Sequence, residues 1–372
     1  MLFRSIFLAG ILAFGLFQAH PAESRKPRHD PPDQVFRRAA MAEASRSIVI
    51  NLAPELHLAF DLERCRIHTV WVGGPLNLWG PPYSYAKAPF ICDFDGTKVF
   101  GLPQIAVSSK DPRFRAIETS GTPTLIYQVG DLQGSEQLSG NSRDGKWQFT
   151  RAIDLEGSRN GQAEVLAAAE PGGDARLSGG RVEVDGPNGK YSIEAEGEVE
   201  WRIETSQVDY VTETITEAGT EKGNPRERYQ GPEARVYVRF APGASAARIT
   251  YGNTERKLAE GRVKRGGEVV FKGDRKRPDS GDEYYRIEHF PLPKEAEMIV
   301  TGMDALPNGD LAICTWLGEV FVVENASGPV EQATYRRIAR GLNEPLGITE
   351  YEGKLYAVQK GELTRLEDTN GD

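Results

Sequence analysis

The feature that most constrains the fold is a repeat near the end of the chain. Gly302-Met303-Asp304-Ala305-Leu306 runs through a turn, Pro307-Asn308-Gly309-Asp310, into the apolar strand Leu311-Ala312-Ile313-Cys314. A second turn ends at Gly318-Glu319 and opens onto Val320-Phe321-Val322-Val323. About 44 residues later the pattern returns as Gly347-Ile348-Thr349, Glu352-Gly353, Leu355-Tyr356-Ala357-Val358, Gly361-Glu362 and Leu363-Thr364-Arg365-Leu366. A period in the forties with about four short strands is the size of one β-propeller blade. Such a small sheet has two apolar faces and buries them only against neighbours, and closure needs at least about four blades. Residues 284–372 therefore read as the first two blades of an incomplete propeller. The sequence stops at Asp368-Thr369-Asn370-Gly371-Asp372, inside an acidic turn, so a truncated longer protein is the expectation.

Upstream, short apolar runs separated by Asp144-Gly145, Asn188-Gly189 and Gly266-Gly267 predict strands joined by tight turns. Residues 234–240 alternate cleanly, with Val236, Val238 and Phe240 on one face and Arg235, Tyr237 and Arg239 on the other. Strands wet on one face and covered on the other suit an antiparallel sandwich. The expected fold class is all-β: an N-terminal β-sandwich-like domain over residues 47–272, a polar linker at 273–283, then the partial propeller over 284–372. Residues 217–232 read as a long loop within the first domain. Only one short helix is expected, over the Ala-rich residues 36–46.

Residues 1–22 read as a signal peptide: Arg4 is followed by an apolar run of about 13 residues and small residues at Ala19 and Ala22. A spanning helix needs about 20 apolar residues, so an exported protein, periplasmic or extracellular, with no stable membrane span after cleavage is expected. Residues 23–46 form a leader, basic at Arg25, Lys26, Arg28 and His29 and broken by prolines. The whole chain carries 45 Lys and Arg against 54 Asp and Glu, net −9, which disfavours nucleic acid as a partner. Three cysteines cannot form a disulfide framework. A Cys65–Cys92 bridge and two separate thiols both remain open, and Cys314 reads as core filler.

Residues 303–372, with Leu306-Pro307-Asn308-Gly309-Asp310-Leu311, Gly341-Leu342-Asn343-Glu344-Pro345-Leu346-Gly347-Ile348 and the closing Asp-Thr-Asn-Gly-Asp, resemble the opening blades of soluble glucose/sorbosone dehydrogenase-like propellers. The likeness is strongest to large secreted proteins of planctomycete-type bacteria, where such a propeller follows a β-rich domain and often precedes a c-type haem domain. Leu58-Ala59-Phe60-Asp61, Cys65-Arg66 and Trp71-Val72-Gly73-Gly74 are similar to that first domain, as are Asp111-Pro112-Arg113-Phe114-Arg115 and Pro123-Thr124-Leu125-Ile126-Tyr127, so the resemblance spans roughly residues 45–372. It implies pyrroloquinoline quinone and haem c for the family. No catalytic position matches, Cys65-Arg66-Ile67-His68 is not Cys-x-x-Cys-His, and both cofactors would belong to sequence beyond Asp372, as would the further propeller and haem domains.

Within this chain no cofactor is evident. Asp368, Asn370 and Asp372 follow D-x-N-x-D, the first half of a calcium loop, in which alternate oxygen donors converge on one hard cation; a solvated acidic turn is the alternative. Trp79, Tyr83 and Tyr85 lie in an aromatic, Pro-rich loop whose ring faces could stack on a carbohydrate or other small-molecule ligand, or simply plug one end of the sandwich. The close acid pairs Asp93/Asp95 and Asp154/Glu156 are expected by chance in so acidic a chain. His57, His68 and His289 read as satisfied histidines, with His57 and His68 candidates for neighbours. The expectation is a non-catalytic binding or assembly module of an exported multidomain protein. The alternatives are the N-terminal part of a sugar or alcohol oxidoreductase passing electrons to haem, and a carbohydrate-binding or carbohydrate-active sandwich.

Overall fold

A computed structural model describes residues 28–41, 43–78, 92–102, 112–119, 121–157, 163–213, 226–259, 261, 263 and 268–368. Among these the architecture is all-β, with antiparallel sheets and a single 3-10 turn at Val330–Gln332. The N-terminal sheet runs in the order Arg28–His29, Arg66–Leu78, Leu56–Asp61, Ala44–Ala53, Phe36–Met41, and Asp93–Phe100 also pairs with Arg66–Leu78. An eight-stranded sheet spans from Asp174–Ser178 to Pro112–Glu118, with Ala246–Gly252 inserted between Gly189–Gly197 and Lys146–Glu156. Glu164–Pro171, Arg226–Phe240 and Val199–Glu213 form a third sheet.

Side chains from all three sheets meet in one core. Ile48, Leu58 and Phe60 come from the first, Phe149, Ile193 and Tyr251 from the second, Val236, Val238 and Phe240 from the third. The alternation in residues 234–240 therefore points its apolar set inward as expected. Phe149 stacks on Tyr251 at 4.4 Å, and Phe100 leans on both. The opposite face of the N-terminal sheet carries a smaller core of Ala39, Met41, Ala44, Val49, Ala59, Trp71 and Leu76.

The expected helix over residues 36–46 is instead a hairpin of two strands, Phe36–Met41 and Ala44–Ala53, turning at Glu43 with φ 59°. Alternate side chains, Arg37, Ala39 and Met41, are buried. That period of two overrides the modest helix preference of alanine, because both neighbouring surfaces are apolar. The expected leader is likewise structured from residue 28, where Arg28 and His29 pair with Leu78 and Asn77. Part of the expected loop at 217–232 is strand, since Arg226–Phe240 pairs along its whole length with Val199–Glu213.

Two sheets occupy the C-terminal part. The first runs Val269–Lys272, Thr334–Ala339, Val320–Glu324, Leu311–Thr315, Val300–Ala305. Its edge strand Val269–Lys272 falls inside the range expected for the sandwich but pairs here with Thr334–Ala339, where Phe271 packs edge-on against Phe321. The second sheet contains Gly347–Tyr351, Lys354–Gln359 and Glu362–Leu366. The turns at Asn308-Gly309 and Glu352-Gly353 hold their glycines at φ 90° and 77°, a region that L side chains avoid. The aligned turns share a left-handed glycine but differ in length: Ala305 pairs with Leu311 across five residues, whereas Tyr351 pairs with Lys354 across two.

Candidate functional site

The described part of the second C-terminal sheet has one covered face and one open face. Strand alternation sends Leu355, Ala357 and Leu366 toward the first sheet, where they join Ala312, Cys314, Val320, Leu342 and Ile348 in a shared core. The other set includes Val358 and Leu363, which sit directly opposite each other across the strand pair. Val358 is 54% exposed and Leu363 65%; Leu346 beside them is 64% exposed and Tyr351, on an adjacent strand, 61%. Opposed aliphatic side chains on a sheet normally gain by burial together, and an exposed apolar cluster of this kind marks a contact surface. The strand Glu362–Leu366 also bonds to a neighbour on one side only among the described residues.

This surface is held rigidly to the N-terminal sheet by a buried polar seam. The Arg37 guanidinium donates to Asp30 and to the carbonyls of Leu317 and Leu342. The Arg38 backbone N–H donates to the Gly341 carbonyl at 2.7 Å, and Arg340 Nη1 donates to Asp33 Oδ1 at 2.8 Å. Glu362 faces both Arg38, at 3.1 Å, and Arg46, at 3.5 Å. Burial pulls the Arg38 pKa down to about 10 against the opposing pull of Glu362, and burial raises that of Asp30 against its pairing with Arg37. Sequence reading took this stretch for leader and helix and so missed the seam. The readable signal was a basic residue in the inward phase of an alternating strand.

Three further polar clusters lie in the sandwich. Arg151 donates to Glu136 through Nε at 2.6 Å and Nη2 at 3.1 Å, while Tyr127 and Tyr251 complete the network. Burial opposes the Arg151 charge, yet Glu136 outweighs it and holds the guanidinium firmly protonated. Arg66 and Asp61 form a second buried pair at 3.2 Å. In the third, Glu170 accepts a 2.6 Å bond from the Tyr191 hydroxyl, and burial pushes its carboxyl up to about 7, with Lys98 nearby opposing the shift. Glu233, next along that wall, accepts from Tyr210 at 2.9 Å and Arg235 at 2.7 Å. Two buried carboxyls with phenol partners have the ingredients of acid–base chemistry. Glu170 and Glu233 are each only 2% exposed, however, so this arrangement reads as internal bracing.

A cavity of about 270 Å³ opens on the eight-stranded sheet between Asp174, Arg176, Arg181, Glu183, Lys190 and Glu255. Its cations are matched by acids: Arg176 with Glu183, Arg181 with Glu255, Lys190 with Asp185. A surface of such mixed sign offers no concentrated field to a charged ligand.

Of the residues singled out from sequence, Trp79, Tyr83 and Tyr85 lie outside the described residues, as do Asn370 and Asp372; Asp368 is exposed at the described end of the chain. Asp95 accepts from Asn77 at 2.9 Å, and Asp154 and Glu156 are exposed on one face of their strand. His57 is an internal group, stacked on Trp71 at 5.2 Å and bonded to Asn51 at 2.7 Å; burial lowers its pKa to about 4. His68 sits at the other end of the strand pair, beside the bulge opposite Ala59 and Phe60. Cys65 belongs to the main core and Cys92 packs against the smaller core on the opposite face of the sheet. The two thiols are therefore separate, each pushed up to about 12 by burial. Among the described residues no cluster of three His, Cys, Asp or Glu could hold a metal ion, and no helix is long and apolar enough to cross a membrane.

Comparison with family models gives no match, and none of the curated proteins matches. Solved structures similar to the chain include heparan sulfate lyase HepC from Pedobacter heparinus and a mutant of it, each at 8% identity with a TM-score of 0.31. The match covers 83% of this chain and 43% of the lyase chain, so the chain spans less than half the length of those structures. A likeness at this level assigns no activity.

Proposed function

We propose that this chain is a binding and assembly module of an exported multidomain protein, and that its working surface is the open face of the second C-terminal sheet. The observation that supports this reading is the exposure of Leu346, Val358 and Leu363 on a sheet that a buried polar seam fixes to the sandwich. Fully burying one such aliphatic side chain is worth about 1.5–3 kcal/mol, so three together give a strong drive toward contact. In this reading the sandwich sets the position of the face, and quinone or haem chemistry belongs to other parts of the assembled protein.

The test replaces Val358 and Leu363 by aspartate in the full chain. The unsubstituted chain should bind the dye 1-anilinonaphthalene-8-sulfonate and associate with rising concentration in sedimentation velocity. The double variant should lose most of both, with its far-UV circular dichroism and melting temperature retained. Equal dye binding and equal association in the two proteins would overturn the assignment of the surface.

A further inference from the structure

The turn joining Lys354–Gln359 to Glu362–Leu366 rests against the N-terminal hairpin, and positive charge is in excess where they meet. Gln359 pairs with Glu362, so Lys360 and Gly361 form a two-residue turn, and Gly361 takes φ 88°, where a side chain would be strained. The aliphatic stem of Arg46 fills the space beside Gly361, 3.5 Å from where a Cβ would stand. The Lys360 N–H donates to the Asn343 carbonyl at 2.9 Å, and the Asn343 N–H donates to the Gln359 side chain at 2.6 Å. These bonds fix Asn343, Lys360 and Glu362 against Arg38 and Arg46. All five residues line one small cavity of about 10 Å³.

Among the described residues Glu362 supplies the one carboxylate on the cavity wall, and its oxygens are already engaged. Its Oε1 accepts from Arg38 and Gln359, each at 3.1 Å, and from Thr364 at 3.0 Å; its Oε2 faces Arg46 at 3.5 Å. Lys360 has Glu344 at 3.9 Å. With Glu344 assigned to Lys360, two guanidiniums share one carboxylate, and one positive charge has no counterpart. The Arg38 side chain is only 10% exposed. Its Nη1 and the Nε of Arg46 are both buried and have no hydrogen-bond partner among the described residues. Burial pulls the Arg38 pKa down and the Arg46 charge adds to that pull, against Glu362. An unmatched charge and unmet donors in a buried wall are both costly.

We propose that this cavity binds one monatomic anion, chloride under physiological conditions, held between Arg38 and Arg46 on one side and Asn343 and Lys360 on the other. A cavity of this size takes one occupant about as large as a water molecule. Water would satisfy the N–H donors but leave the charge unmatched. A sulfate, phosphate or carboxylate would match the charge but is too large. A halide does both, since guanidinium and ammonium groups are donors only and bind anions through charge-assisted hydrogen bonds. The bound ion ties the N-terminal hairpin to the last turn of the second C-terminal sheet, so the hold of the seam on that sheet depends on halide concentration. This site is separate from the open apolar face and stands whether or not that face is a contact surface.

The test is thermal unfolding of the full chain as sodium chloride replaces sodium gluconate at constant ionic strength, which holds general screening fixed. The melting temperature should rise with chloride as expected for a ligand that binds the folded state at one site, and bromide should act as chloride does. Arg46→Gln keeps a long side chain beside Gly361 and removes one charge; it should weaken the dissociation constant obtained from that rise by tenfold or more. Lys360→Gln, on an exposed turn, should do the same and serves as the second variant if Arg46→Gln does not fold. In crystals grown in bromide an anomalous scattering peak should lie beside Arg38 and Arg46. A melting temperature that is the same in chloride and gluconate would mean that water alone fills the cavity, and the proposal would fall. It would fall equally if both variants kept the parent dissociation constant, because the ion would then bind elsewhere, or if the bromide crystals showed no anomalous peak at this place.

Discussion

Between residues 30 and 240 the interior holds Asp61, Arg66, Glu136, Arg151, Glu170 and Glu233, all buried; among the described residues from 268 to 368 the buried polar side chains are Thr315 and Gln359. The two regions thus fix their strand registers by different means. A one-residue slip of Leu132–Arg143 would carry Glu136 to the solvent face and leave Arg151 alone in the core, a costly arrangement. The C-terminal sheets instead use glycine turns at Gly309 and Gly353 and the close approach of Gly302 to Gly347. Ionic pairing makes the sandwich sensitive to losing one partner. The glycine scheme makes the C-terminal sheets sensitive to added volume and nearly indifferent to the loss of a buried polar group.

The largest test of this contrast is Glu136→Gln. It leaves the Arg151 guanidinium, 4% exposed, without a neutralising carboxylate. Breaking one side of a buried pair costs about 3–5 kcal/mol, to be read from urea unfolding at neutral pH. The double change Glu136→Leu with Arg151→Met should recover most of that loss, because well-packed apolar replacements remove the desolvation cost of both charges. A double variant no better than the single one would mean that the pair is not what holds this register.

A second test uses pH. Burial raises the Glu170 carboxyl to about 7 from the ordinary glutamate value of 4.5. Its neutral form favours the fold, so its contribution is full below about 4.5 and is lost as pH rises through about 7, an effect on the order of 3 kcal/mol. His57 behaves oppositely: with a folded pKa of about 4 against the ordinary histidine value of 6.5, its contribution is full above 6.5 and is lost as pH falls toward 4. Glu170→Gln should flatten the decline in melting temperature between pH 4.5 and 7, and His57→Gln the decline between 6.5 and 4. If both variants keep the parent profile, the buried groups of the sandwich do not govern its pH response.

The contrast also explains which parts could be read from the chain. The repeat was legible because its signals are local: Asn308-Gly309 and Glu352-Gly353 stand at fixed distances from apolar strands, and each turn needs its glycine. The strand at residues 36–41 was not, because its alanines favour a helix when taken alone, whereas in the hairpin with Ala44–Ala53 its Arg37 side chain is satisfied by the Leu317 and Leu342 carbonyls about 300 residues away. Glu136 and Arg151 lay in between. Each occupies the inward phase of an alternating strand, beside Leu138 and beside Phe149 and Ile153, and a charge in that phase calls for a partner. Which partner it finds depends on the register of two strands, and the pattern of either strand alone does not fix that. The open face was not legible; its location on Val358 and Leu363 required the sheet.

The smallest expected effect lies in the C-terminal region. Thr315 is fully buried, and its hydroxyl accepts from the Glu319 N–H at 3.3 Å and reaches the Glu319 carbonyl at 3.5 Å across the turn before Val320–Glu324. Both contacts are long, and the backbone already closes the same turn through the Thr315 N–H to the Glu319 carbonyl at 2.8 Å and the Gly318 N–H to the Thr315 carbonyl at 2.9 Å. Thr315→Val keeps the shape of the side chain and removes only the hydroxyl. The loss of one weak neutral hydrogen bond is worth about 0.5–1.5 kcal/mol at most, and β-branched packing in the strand is preserved, so a decrease under about 1 kcal/mol is expected in urea unfolding. A loss as large as that of Glu136→Gln would show that the C-terminal sheets also depend on buried polar groups, and the division between the two regions would fall.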